Sequence, residues 1–134
     1  MKFLQKKNIK YLIIHCSDTE KNLTAINIHT MHLGFGWDGI GYHKVINNDG
    51  KIENGRPEYW VGAHVRGLND CSLGVCLIGK DKFNTNQMES LKKILKEWKK
   101  KYPNAIILGH KDSIKTKKTC PNFDVISWCK ENLR

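Results

Sequence analysis

The order of apolar and amphipathic segments predicts an α/β fold: a single domain with a central mixed β-sheet flanked by helices and a cleft at the strand ends. Three observations carry this expectation. Apolar runs of strand length recur at residues 9–15 (IKYLIIH), 73–78 (LGVCLI) and 105–110 (AIILGH); an amphipathic helical stretch separates the last two; and Asn48-Asp49-Gly50 punctuates two β-like runs. Near-continuous apolar runs are the mark of strands covered on both faces, as in sheets packed between helices.

Taken in order, residues 9–15 are apolar on both alternating faces and the run ends on His15. Thr24 is placed to cap a short helix to about His32, with Ile28 and Met31 on one face and Gly34 to stop it. Gly34-Phe35-Gly36-Trp37-Asp38-Gly39-Ile40-Gly41 holds four glycines and reads as a loop that can bring backbone close to a ligand. YHKVINNDGKIENG follows as a hairpin. A polar loop then carries Arg56, His64, Arg66 and Asn69 into the buried strand LGVCLI. From about Thr85 to Lys101, Met88, Leu91, Ile94, Leu95 and Trp98 recur at helical spacing, with Lys and Glu on the other face. AIILGH is a strand that ends on His110, a lysine-rich loop leads to Cys120-Pro121, and a terminal helix begins near Phe123.

The chain of 134 residues has the length of one domain able to bury a core without disulfides. Residues 1–8 read as a basic leader and residues 9–134 as the domain itself. A hydrophobic fraction of 40% and a charged fraction of 27% exclude disorder and fibrous architectures. No apolar run approaches the roughly 18 residues of a transmembrane helix. The apolar stretch from Tyr11 to Ile14 is too short for a signal-peptide core and no small-residue cleavage site follows, so synthesis in the cytoplasm without a signal peptide is expected. Five cysteines without a CxxC pair argue against a disulfide framework and a four-thiolate zinc finger. A formal charge of +10 suits a polyanionic partner: nucleic acid, an acidic cell-wall polymer or a membrane surface.

His15 and His110, each ending a strand, and Cys120, held by Pro121, form a candidate metal set. Zinc takes three such nitrogen and sulfur ligands and keeps a fourth tetrahedral position for water when the site is catalytic. On residue types alone, packing or solvent exposure accounts for the same histidines and thiol better than a metal does.

The words IIHCSDT, GWDGIGYHKVINNDGKI, VGAHVRGLNDCSLGVCLIG, LGHKD and KKTCPNFDV occur in an order that resembles the type 2 N-acetylmuramoyl-L-alanine amidases. The likeness is closest to the T-odd coliphage members, and the family also includes the peptidoglycan recognition proteins. It runs from about Ile9 to the C-terminus. The resemblance implies one zinc ion on His15, His110 and Cys120. It implies catalytic roles for Tyr42, of the GYH motif, and for Lys118, two residues before the metal cysteine. Lys118 would add positive charge near a developing oxyanion and Tyr42 would orient water or pass a proton. His64 and Asn69, in the pattern GAHxxxxN, correspond to cleft-lining groups.

Trp37 and Trp60 sit in loops and are candidates for the cleft floor, whereas Trp98 belongs to a helix core stripe. His29 and His32 lack motif support, and strand alternation turns His43 away from Tyr42 toward the core. The lysines of Lys115-Thr116-Lys117-Lys118 would favour the Cys120 thiolate or simply face water. The implied reaction is hydrolysis of the amide between N-acetylmuramic acid and L-alanine of peptidoglycan, by a monomeric, bacteriolytic endolysin acting on the cell wall. Direct nucleic-acid binding is not expected. Three other readings remain at this stage: a module that binds peptidoglycan without cutting it, a cysteine hydrolase using Cys120 and His110, and an additional regulatory contact with host RNA polymerase.

Overall fold

The computed structural model describes residues 2–133; residues 1 and 134, the outer ends of the expected leader and domain, lie outside the described residues. Five strands form one mixed sheet: β1 (Tyr11–Cys16), β2 (Lys44–Ile46), β3 (Ile52–Asn54), β4 (Ser72–Leu77) and β5 (Ile106–Gly109), in the order β3-β2-β4-β1-β5. β1 lies parallel between β4 and β5, β2 joins β4 in parallel, and only the β2–β3 hairpin is antiparallel. Among the described residues, four α-helices complete the fold: α1 (Ala25–Gly34), α2 (Thr85–Lys101), α3 (His110–Ser113) and α4 (Val125–Asn132).

Both faces of the sheet are covered, which is why β1 and β4 read as unbroken apolar runs. On one face Leu12, Ile14, Ile46, Leu73, Val75 and Leu77 pack against Leu91, Ile94, Leu95 and Trp98 of α2 and Val125 of α4. On the other, Val45 and Ile78 meet Ala25 and Ile28 of α1 and Ile40. Burial of Leu91, Ile94 and Leu95 contributes about 1.5–3 kcal/mol each. The first turn of α2 is fixed by reciprocal bonds: Gln87 N–H donates to the Asn84 side-chain carbonyl at 2.9 Å and Asn84 N–H to the Gln87 carbonyl at 3.2 Å. Helices on both sides of a mixed sheet are the architecture expected from the sequence.

Two local expectations are corrected. Met31 is 39% exposed, and His32 takes the inner position with Ala25 and Ile28. The buried stripe of α1 therefore runs i, i+3, i+7, and the polar His32 is tolerated inside because its Nδ1 accepts the Gly41 N–H at 2.9 Å. His110 opens α3 instead of ending β5, because the Asp112 carboxylate accepts the Gly109 N–H at 3.1 Å and turns the chain there. The basic leader is tied down: Leu4 is buried, its N–H donates to Tyr59 O at 2.8 Å, and Val61 N–H donates to Lys2 O at 2.9 Å. Among the described residues, no helix is long and apolar enough to cross a membrane.

Candidate active site

Side-chain alternation along β1 sends Leu12 and Ile14 into the α2 layer and His15 to the opposite face, near the carboxyl end of the parallel strands. β5 runs parallel beside β1 and delivers His110 one residue past its end. Cys120 arrives on the loop after α3, where Cys120 O accepts the Lys111 N–H at 2.9 Å and Sγ accepts the Cys16 N–H at 3.0 Å. The ligand atoms of His15, His110 and Cys120 all lie within 4.8 Å of one another, within reach of a single ion after small side-chain adjustment. Two imidazoles and a thiol are a donor set that suits zinc and leaves one tetrahedral position free.

The protonation pattern is set by neighbours. Ser72 Oγ donates to Leu68 O at 2.6 Å, so its lone pairs accept from His64 Nε2 at 3.2 Å. His64 Nδ1 is then the acceptor for His15 Nε2, 2.9 Å away, which leaves His15 Nδ1 as the lone pair available to a metal. Such an outer hydrogen bond fixes the tautomer and ring orientation of a ligating histidine. The His64 ring fits because residue 74 is glycine: a Cβ there would sit 2.6 Å from His64 Nδ1. Burial, with His64, His110 and Lys118 nearby, holds His15 well below its usual pKa; burial and then Lys118 lower His110. Both imidazoles are neutral at pH 7, as metal binding requires.

The adjoining Cys16 thiol and burial push the Cys120 thiol up, while the Cys16 N–H acts in the other direction. A metal would have to displace the proton. All five cysteines are free thiols.

Tyr42 packs against His15, ring centroids 5.1 Å apart, and burial followed by the nearby Cys76 raises its phenol well above the ordinary value. It is a hydrogen-bond donor at neutral pH. Its backbone is anchored on both sides: Gly41 N–H donates to His32, and Arg56 N–H donates to Tyr42 O at 2.9 Å. Gly41 admits no side chain, since a Cβ would meet Ala63 O at 2.0 Å. His29 supports the same segment by accepting the Ile40 N–H at 3.0 Å. These α1 histidines carried no motif signal; only their i, i+3 spacing placed them on one face.

The cleft has a volume of about 900 Å³, and its walls include His15, His110, Cys120, Tyr42, Lys118, His64, Asn69 and Trp37. Within it, both ring nitrogens of His64 are engaged by protein groups, and the Asn69 carbonyl accepts the His64 and Val65 N–H groups at 2.9 Å each. Trp60 is not on the cleft; its backbone carbonyl accepts from His43 Nε2 at 2.8 Å and its side of the molecule is a separate hollow beneath α1. The sequence placed it in a loop but carried no information on which side that loop folds. His43 is buried in the core as expected, with Nδ1 accepting the Gly74 N–H at 3.1 Å.

Comparison with known proteins gives a consistent result. A model of the N-acetylmuramoyl-L-alanine amidase family matches residues 5–123. The endolysin of Escherichia phage T7 is 37% identical over 142 residues, covering 98% of this chain and 93% of the relative, and that of Enterobacteria phage K11 is 36% identical over 140 residues, covering 97% and 91%. Among solved structures, the endolysin N-acetylmuramoyl-L-alanine amidase LysCS of Clostridium intestinale superposes with a TM-score of 0.85 at 30% identity, covering 99% of this chain and 91% of that one. The bumblebee peptidoglycan recognition protein SA superposes at 0.80 with 28% identity, covering 92% and 81%.

Proposed function

Because the chain belongs to the N-acetylmuramoyl-L-alanine amidase family, we propose that it is a zinc-dependent endolysin whose single ion is held by His15, His110 and Cys120. The bond cleaved is the amide joining the lactyl group of N-acetylmuramic acid to L-alanine in peptidoglycan. The observation that carries the reading is the convergence of these three donor atoms within 4.8 Å in a cleft that Tyr42 and Lys118 also line. When bound, zinc supplies Lewis-acid chemistry, activating water near neutral pH and polarising the scissile carbonyl.

The chain's own groups do the rest. His64, bonded to Ser72, turns the His15 lone pair toward the ion, and the Cys16 N–H supports a thiolate at Cys120. Tyr42, kept protonated by burial, orients the attacking water or passes a proton to the leaving amine. Lys118 is a cation close enough to depress both histidines, and it stabilises the negative charge that develops on the carbonyl oxygen. Asn69 holds the 64–65 backbone with its carbonyl and has an NH₂ group to offer the substrate. A cysteine-hydrolase role would use only Cys120 and His110 and leaves the convergence of His15 on the same point without a use.

In this reading residues 9–134 form the catalytic domain, and the protein acts as a monomer on the cell wall. The formal charge of +10 then helps it to hold an anionic wall. The test is a lysis assay with chelated, zinc-restored and Cys120→Ala protein. Chelation and the substitution should each abolish wall solubilisation, and zinc should restore only the chelated wild type. Full activity after chelation would remove the metal from the account.

A further inference from the structure

Cys120 reaches the cleft on the segment between α3 and α4, which contains neither helix nor strand. A segment of this kind holds one sulfur atom in place only if side chains anchor it. Thr119, Cys120, Pro121 and Asn122 form a four-residue turn, closed by the Asn122 N–H donating to Thr119 O at 2.8 Å. The Thr119 hydroxyl closes the same turn again by donating to Asn122 Oδ1. The other end of the carboxamide ties the turn to the sheet. Asn122 Nδ2 donates to Lys80 O, in the chain leaving β4, and to Cys16 Sγ at 3.7 Å, at the end of β1. Cys16 is also the residue whose N–H donates to Cys120 Sγ at 3.0 Å. The cysteine turn is therefore held against β1 twice, once through the Cys120 sulfur and once through Asn122.

Backbone conformation alone does not account for asparagine at this position. With φ 69°, residue 122 lies in the left-handed region, which glycine occupies freely and asparagine more readily than most residues. Glycine would close the turn through the same N–H but would make none of the side-chain bonds. The carboxamide uses its oxygen and its NH₂ group on protein partners although the residue is exposed, so fixed partners have replaced water around it. We propose that Asn122 is a positioning residue: it anchors the cysteine turn to the ends of β1 and β4 and so presents Cys120 Sγ where His15 and His110 converge. The role rests on the zinc reading above, and Asn122 exerts it through Cys120. A sulfur already ordered before the ion arrives loses little freedom on binding, which is the way outer partners raise the affinity of a metal site.

Two measurements on the full chain test it: zinc affinity by chelator competition, and NMR hydrogen exchange of the Cys16 amide in metal-free protein. Asn122→Gly keeps the left-handed backbone and removes only the carboxamide. It should weaken zinc binding about tenfold and speed exchange at Cys16, as the Cys120 sulfur leaves that N–H. Thr119→Ser, which keeps the hydroxyl, should bind zinc as the wild type does. Thr119→Val should lose affinity, with no further loss when it is combined with Asn122→Gly, because both remove the same anchor. Wild-type zinc affinity in Asn122→Gly would overturn the proposal, even where Asn122→Ala loses affinity, since alanine alone strains the backbone at this φ. If the wild-type chain bound no zinc, the zinc reading would fail and the Cys16 amide would decide the role of Asn122 by itself. Faster exchange in Asn122→Gly supports the anchor, and equal exchange overturns it.

Discussion

His43 gives the fold a titratable core residue away from the metal candidates. It is 1% exposed, its Nε2–H donates to Trp60 O, and its Nδ1 accepts the Gly74 N–H. The second bond requires an unprotonated Nδ1 and hence the neutral ring, the first favours the charged form, and burial outweighs it, lowering the pKa from 6.5 to about 4. Between those values the unfolded chain binds a proton that the folded chain does not, so stability rises with pH across this window. The contribution is fully present above about pH 6.5 and is lost as pH falls toward 4; a shift of this size corresponds to about 3 kcal/mol. Urea unfolding of wild type and His43→Gln at intervals from pH 4 to pH 7 reads it together with its effect on His64, whose ring lies 5.8 Å away and whose pKa is lowered in part by His43. Glutamine keeps a donor for Trp60 O but cannot titrate. The variant should be less stable at pH 7, and the gap should narrow by up to about 3 kcal/mol by pH 4. Parallel curves would show that His43 does not carry a depressed pKa.

The other predictions concern the site and the core. His64→Ala should weaken zinc affinity by about 10- to 100-fold in a chromophoric chelator competition, by freeing the His15 ring; unchanged affinity would remove His64 from the support of His15. His32→Ala leaves the buried Gly41 N–H without its acceptor, at a cost of about 1–3 kcal/mol in chemical denaturation, and should lower kcat by displacing Tyr42. Retention of both stability and kcat would argue that the 40–42 segment is held by other contacts. Trp98→Ala, at a position only 1% exposed, should cost about 3–5 kcal/mol in the same measurement, and a loss under 1 kcal/mol would contradict the packing of α2.

What could be read from residues alone follows from physics that is local in sequence. α2 is legible because Leu91, Ile94, Leu95 and Trp98 keep helical period, so Thr85–Lys101 emerges with the bounds expected. β1 and β4 are legible because burial on both faces leaves few polar residues. Met31 and His32 defeat the same logic: both fit the stripe within one residue, and only the bond from Gly41, nine residues on, decides which turns inward. The convergence of His15, His110 and Cys120 came from motif order and resemblance, since their sequence separation carries no geometry. The Ser72–His64–His15 chain was invisible, because it depends on β1 lying parallel to β4 and on the absence of a side chain at Gly74. Trp60 could not be placed for the same reason: a loop residue's side of the sheet is a tertiary fact.

The measurement that tests the central claim most directly is an end-group analysis of purified peptidoglycan digested by the zinc-loaded wild-type protein. New amino termini should be L-alanine, appearing in step with solubilisation and without new reducing sugar ends, and Cys120→Ala should release none. Solubilisation without L-alanine termini would contradict the assignment of the cleft to the N-acetylmuramoyl-L-alanine bond.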